Sequence, residues 1–212
     1  MPNVTLSPRA QAKREQILSA ARSLFLTQGY ARTSMDAITQ GAGVSKQTLY
    51  AYFASKAELI AAVVTQEIDG LEGSSAHAPI RTLPELRATL FGFARTLTGR
   101  LMQEEAVALL RLLIGEAVHV PELRQLLRGA FPVRLLTQAE ALLEAAHHQE
   151  IIQAPDPAVS ARMFVGPIMS FVMLDGLLSE STATPPSDAV LMKIVEAFLR
   201  TVPREAQEGD LT

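Results

Sequence analysis

The sequence predicts an all-α protein. A small N-terminal domain of three helices, containing a helix-turn-helix, precedes a larger helical body, making about nine helices in all. Three observations carry this. Apolar residues recur three and four positions apart along most of the 212-residue chain. No alternating strand pattern appears from Thr82 onward. Helix-start signals, a Ser, Thr or Asp followed by Pro or by an acidic residue, stand ahead of the periodic runs. Hydrophobic residues make up 48% of the chain, enough for a sizeable core. The expected domains are residues 1–60 and 61–212, with a Gly- and Ser-rich linker at Gly70–Arg81 (GLEGSSAHAPIR).

The first helix is expected from Pro8 or Ala10 to Gln28, with Ile17, Leu18, Ala21, Leu24 and Phe25 on one stripe and Gly29 as its stop. Residues 1–16 hold Arg9, Lys13 and Arg14 without a following apolar run, so they are not a secretory signal and read as a loose basic arm. The second helix spans Ser34–Gln40, capped by Thr33 or Ser34, and Thr33 with Asp36 has capping-box spacing. Gly41-Ala42-Gly43 makes the turn, since glycine tolerates the positive φ a tight turn demands. Ser45 caps the third helix, and Val44 and Leu49 stand at the positions of a hydrophobic staple. Phe25, Ile38, Leu49 and Phe53 are the expected centre of this domain's core.

On the third helix Leu49 and Phe53 point inward, while Lys46, Gln47 and Tyr50 share the outer side. A cation, an amide and a phenol suit a DNA major groove: lysine bonds guanine or phosphate, glutamine pairs with adenine, and tyrosine reaches a phosphate or a thymine methyl. From this helix alone, a solvated face on an ordinary helical domain is an equal alternative. A fourth helix starts at Ser55-Lys56-Ala57-Glu58, another capping box, and continues its apolar face through Leu59, Ile60, Val63, Val64 and Ile68.

Arg14 to Val63 resembles the N-terminal DNA-binding domain of the tetracycline-repressor (TetR) family. The residues carrying the resemblance are Ile17, Ala20, Ala21, Phe25, Gly29-Tyr30, Thr33-Ser34, Ile38, Ala42-Gly43-Val44-Ser45, the run Thr48 to Phe53, Ser55-Lys56 and Leu59. It implies a ligand-responsive transcriptional regulator, a repressor, that binds a pseudo-palindromic DNA operator as a dimer and is released by a small hydrophobic ligand. It also implies DNA contacts from Thr33, Ser34, Ser45, Lys46, Gln47, Thr48, Tyr50, Tyr52 and Lys56, the last on the phosphate backbone. The competing reading is a DNA- or partner-binding protein without a specific operator or inducer.

The body follows as a series of helices. Thr82-x-Pro84 opens one that runs to about Met102 through Leu86, Leu90, Phe93 and Leu97. Glu104–Ala117 is apolar nearly all round, which predicts a central position. Pro121–His147 is interrupted at Pro132. Asp156-Pro157 opens the next helix, expected to reach Ser181, and Ser187-Asp188 caps the last, expected to reach Val202. Thr201–Thr212 is polar and expected to fray. Met163–Leu178 (MFVGPIMSFVMLDGLL) is the most apolar stretch, but it is short of the roughly 20 residues of a membrane span and contains Gly166-Pro167 and Asp175. A second subunit is its natural cover, and the family resemblance assigns the last two helices to a homodimer. Arg111–Leu123 (RLLIGEAVHVPEL) is similar to an efflux- and stress-associated, AefR-like subgroup of these regulators.

The resemblance implies a small-molecule pocket in the body. Phe91, Met102, Leu109, Leu113, Phe131, Met163, Met169, Phe171 and Met173 are the candidates to line it, because Met and Phe offer adaptable apolar surface. Met and Phe at helical spacing also make ordinary core, and that reading stays open. Charge separates along the chain: residues 1–60 hold seven Lys/Arg against three Asp/Glu, and the rest hold twelve against nineteen. A basic head on an acidic body fits a protein whose N-terminal part alone meets phosphate, although the net charge is −3. There is no Cys, which excludes disulfides and cysteine metal sites and fits a cytoplasmic location. His147-His148 and Glu104-Glu105 are adjacent and point to different sides of a helix, and His119 with Glu116 reads as a surface pair. No catalytic site, metal or cofactor is expected, and the chain does not read as an enzyme.

Overall fold

In a computed structural model of the chain, the structure describes residues 7–72, 80–129 and 131–203, with the side chains of 67–72, 126, 131 and 132 outside the description. Among the described residues there are ten α-helices, one π-helical turn and no strand. The chain packs as two units. One comprises Met1–Gly70 with Ala108–Gly129, and the other Leu71–Val107 with Ala130–Thr212.

The first unit begins with α1 (Pro8–Gln28). Ser7 caps it by accepting from Ala10 N–H, and Pro8 sits where a missing N–H costs nothing. Residues 8–16 are therefore helical rather than a loose arm, and Arg9, Lys13 and Arg14 are carried on the helix. Residues 1–6 lie outside the described residues. Gly29, at φ +79°, ends α1 with its N–H on Phe25 O, a conformation a side chain would strain.

Helix α2 (Met35–Gly41) is capped by Ser34, which accepts from Ala37 N–H. The expected Thr33–Asp36 capping box is absent, because the Thr33 hydroxyl is buried and donates to Gly29 O at 2.8 Å. Of the three turn residues, Gly43 takes the positive φ, +58°, while Gly41 is still helical. Gln16 Nε2 donates to Ala42 O at 2.8 Å, pinning this turn to α1.

Helix α3 (Lys46–Tyr52) starts at Ser45, whose hydroxyl accepts from Thr48 N–H. Helix α4 (Lys56–Glu72) starts at the expected cap, Ser55 Oγ accepting from Glu58 N–H, but the Glu58 carboxylate returns to Ala54 N–H at 2.6 Å, one residue before the cap, rather than closing the expected box on Ser55. Ile17, Phe25, Ile38, Leu49 and Leu59 are fully buried and Phe53 nearly so, which is the core the spacing predicted. Helix α4 runs three residues into the expected linker; residues 73–79 lie outside the described ones, as does the side chain of Ile68.

Helix α5 (Leu83–Leu101) opens with a full capping box, Thr82 with Glu85. Helix α6 (Glu104–Ala117) buries Leu109 and Leu113. It is not covered all round, however: Ile114 and, just past its end, Val118 are exposed. Spacing shows how many faces are apolar, but it does not show how many the chain can cover. Helix α7 (Pro121–Gly129) ends and α8 (Phe131–His148) starts ahead of Pro132, which sits in the first turn of α8 where it needs no N–H partner.

Helix α9 (Pro157–Phe171) is capped by Asp156 on Val159 N–H and passes without a break into a π-helical turn, Val172–Leu177. Together they span 21 residues, long and apolar enough by composition to cross a membrane, so the length argument against a span does not hold. Phe164, Val165, Ile168 and Val172 are buried, and α9 packs on α5, α8 and α10 (Asp188–Leu199). The helix ends at Leu177 rather than Ser181. The last helix stops at Leu199, and Ser187 at its start makes no side-chain cap bond. Tilted ring contacts join three helices, Phe93 to Phe164 at 5.8 Å and Phe164 to Phe198 at 5.2 Å. Arg87 on α5 bridges Glu196 on α10 at 2.7 Å. Residues 204–212, most of the tail expected to fray, lie outside the described residues.

Candidate nucleic-acid interface

Two seven-residue helices, α2 and α3, form the candidate interface. Neither would be stable alone, since so short a helix barely pays for its own nucleation. They persist because Ile38 and Leu49 are wholly buried and because Ser34 and Ser45 satisfy first-turn N–H groups. With Leu49 inward, Lys46, Gln47 and Tyr50 must face outward, and all three are exposed, Tyr50 at 51%.

The other predicted DNA contacts fall into different places. Ser34 and Ser45 are exposed but engaged as caps, and the Ser45 hydroxyl also meets Thr48 Oγ1 at 2.8 Å. Tyr52 is half-buried. The Thr33 side chain is 1% exposed, so its hydroxyl has no surface to offer a duplex.

Lys56, half-buried, is bonded within the head. Its ammonium donates to Tyr30 O at 2.7 Å, Thr33 O at 2.9 Å and Ala31 O at 3.4 Å, and it lies 4.3 Å from the centre of the Tyr30 ring. An ammonium has three hydrogens, and three carbonyls face them. With these bonds Lys56 closes the α1–α2 loop onto the start of α4. Burial pushes its pKa below the ordinary lysine value, and the Glu116 carboxylate pushes it back up. The neighbouring Tyr30 hydroxyl is pushed up by burial, then by Glu122 and Glu116.

Three contributors were not foreseen. Gln16 pins the turn. Asp36 pairs with Lys46, Oδ1 to Nζ at 2.8 Å. Arg14 lies over the Phe53 ring at 5.7 Å and ties α1 to the end of α3. Each joins elements that local spacing treats separately.

The predicted ligand residues do not share one environment. Met102 is buried, and a Cβ on the buried Gly176 would meet it at 3.8 Å. Leu109 and Leu113 are buried on α6. Phe91, under Arg95 at 5.6 Å, is half-buried, as are Met169 and Phe171. Met163 and Met173 are surface residues, because they sit on the side of α9 and the π turn that the chain leaves uncovered. The Phe131 side chain lies outside the description. Met163 lines a shallow groove of about 380 Å3 between α9 and α10, with Pro167, Val190, Lys193, Ile194, Ala197, Phe198 and Thr201. Among the described residues no cluster of three or more His, Cys, Asp or Glu could hold a metal.

Comparison with known proteins agrees with this architecture. Residues 17–63 match the family model for bacterial regulatory proteins of the tetR family. Residues 88–202 match that for the C-terminal domain of AefR-like transcriptional repressors. The HTH-type transcriptional activator FasR of Mycolicibacterium smegmatis is 41% identical over 78 residues, 37% of this chain and 35% of FasR. The first curated relatives are thus matched over only about a third of their length. The HTH-type regulator YdeS of Bacillus subtilis is 28% identical over 80% of this chain and 82% of its own. Among solved structures, a TetR transcriptional regulator from Agrobacterium tumefaciens has 28% identity and a TM-score of 0.76, covering 94% of this chain and 97% of that one. The flavonoid-responsive regulator FrrA has 30% identity and a TM-score of 0.71, covering 92% and 100%. Two adjacent family models, the second spanning more than half of the residues, lie on a helix-turn-helix head and a helical body, and the chain belongs to the TetR family of bacterial transcriptional regulators, which are not enzymes.

Proposed function

We propose that the protein is a ligand-responsive transcriptional repressor of the cytoplasm that binds a pseudo-palindromic operator as a homodimer. Residues 1–60 read the DNA, and residues 61–212 hold the dimer and the effector. The carrying observation is the division of α3: Leu49 is completely buried, and Gln47 and Tyr50 stand exposed on the opposite side. That arrangement presents an amide and a phenol to base edges and phosphates while the core fixes their direction.

Dimerisation is supported by apolar surface on α9, the π turn and α10. Met163, which lines the groove with Ile194 and Ala197, is 48% exposed, and Leu174 and Leu178 are 62% and 68% exposed. Apolar surface of this kind favours a covering partner. A two-fold pair would set two reading helices about 34–36 Å apart, one turn of DNA. A small hydrophobic effector is supported by FrrA, a flavonoid-responsive protein matched along nearly its whole length. Repression is supported by the AefR-like repressor body.

Footprinting across a salt series tests the reading. A discrete, two-fold symmetric footprint that survives moderate salt is expected. Uniform, sequence-blind protection that vanishes as salt rises would replace the operator reading with general DNA coating.

A further inference from the structure

Between them α2 (MDAITQG) and α3 (KQTLYAY) carry one negative and one positive side chain, and the two are bonded to each other. Lys46 Nζ lies 2.8 Å from Asp36 Oδ1 and donates to Oδ2 at 2.9 Å. The residues stand in the first turns of their helices, on opposite sides of the Gly43 turn. Both side chains are 66% exposed, and an ion pair so open to water contributes little to folding. Its larger consequence is electrostatic. A carboxylate bonded to the first residue of α3 shares the surface that α3 presents, and there it cancels the helix's only cation.

We infer that Asp36 competes with DNA phosphate for Lys46, so that α3 reaches a duplex with its cation already engaged and sequence-independent affinity is lowered by one charge contact. This rests on the reading of α3 as the groove helix. If Lys46 stays with Asp36, it neutralises no phosphate and releases no counterion. If it moves to a phosphate, it leaves an exposed carboxylate facing the like charge of the duplex. Either way the phosphate contact is discounted. The uncharged contacts offered by Gln47 and Tyr50 are not, so base reading carries a larger share of the binding.

Asp36→Asn tests this, because it keeps the side chain's shape and removes its charge. Binding to a random-sequence duplex is measured by fluorescence anisotropy between 50 and 200 mM salt, roughly the range over which phosphate contacts weaken. The variant is expected to bind about three- to tenfold tighter at the low end, with a plot of log affinity against log salt steeper by about 0.9, one added phosphate contact. In a Lys46→Ala background the same replacement should leave the slope unchanged. An unchanged slope in Asp36→Asn, or a steeper one that persists without Lys46, overturns the inference. Because the expected effect is a gain, misfolding cannot imitate it. If the unaltered protein gives no discrete footprint on any operator, the reading of α3 itself has failed; a sharp footprint with an unmoved slope removes only the role of Asp36.

Discussion

Lys56 Nζ lies 2.7 Å from the carbonyl oxygen of Tyr30 and 4.3 Å from the centre of the same residue's ring. One residue thus meets the ammonium with both its backbone and its π face. With Ala31 O and Thr33 O as further acceptors, the lysine ties the end of α1 and the approach to α2 onto α4. The loop it closes sets the angle at which α2, and α3 behind it, leave α1.

Lys56→Met should therefore act on the fold of the head before it acts on DNA. Losing the charged hydrogen bonds, in a partly buried setting, should cost about 1–3 kcal/mol of stability. Lys56→Arg should not restore it, since a planar guanidinium cannot meet three converging carbonyls as a tetrahedral ammonium does. Thermal melting checks both. A phosphate-contacting lysine would instead leave the melt unmoved, be rescued by arginine, and lower the salt slope of DNA binding by about one when removed.

Gln47 and Tyr50 lie on the exposed side of α3, so Gln47→Ala and Tyr50→Ala should change stability by less than about 0.5 kcal/mol. Their effect belongs to DNA. Gln47→Ala should cost about 1–3 kcal/mol of operator preference and relax the choice of base at one position of each half-site. Tyr50→Ala should weaken operator binding in a protein that melts normally. Binding isotherms on matched and single-base-altered operators read both; two variants with unaltered isotherms would mean that another surface reads the sequence.

The dimer is tested on the outer side of α10. Leu191 is fully buried within its own chain, so Leu191→Glu should unfold the body. Ala197 is exposed and lines the groove with Met163 and Pro167. Ala197→Glu should leave each chain folded while sedimentation shifts from dimer to monomer. A folded dimer of that variant would place the two-fold contact elsewhere.

Glu85 carries a pH dependence that can be read directly. Its carboxylate accepts from Arg81 N–H at 2.7 Å and Thr82 N–H at 3.1 Å, and these bonds hold its pKa below the usual 4.5, the Arg81 bond first. A depressed carboxylate stabilises the fold above its unfolded pKa and loses that contribution as pH falls through its folded value. The melting difference between the unaltered protein and Glu85→Gln should be steady near neutrality and shrink below about pH 4.5, closing under strong acid. A difference that does not narrow there would mean the cap owes nothing to the charge.

Much of the helical plan was legible because its signals are local. Thr82 with Glu85, Asp156 with Pro157, and Ser45 before α3 each satisfy N–H groups within three residues, so the chain declares those starts wherever it lies. The head's core was legible for a similar reason: Phe25, Ile38, Leu49 and Phe53 are the inward members of short periodic runs. The α7–α8 break before Pro132 follows from a ring that cannot sit mid-helix. The uncovered side of α6, with Ile114 exposed, was not legible, since periodicity counts apolar faces without saying which neighbours exist to cover them.

By itself, then, the order of residues determined where most helices begin, which side of α3 turns inward, and that Gln47 and Tyr50 turn out. Tertiary structure alone decided what the charged and hydroxyl groups of the head are bonded to. Lys46 meets Asp36 across ten residues, Lys56 meets Tyr30 across twenty-six, and Thr33 turns back to Leu24 and Gly29. A helix start is set by atoms three or four residues apart, whereas the partner of a long polar side chain is set by how helices cross, and that crossing exists only once the core has formed.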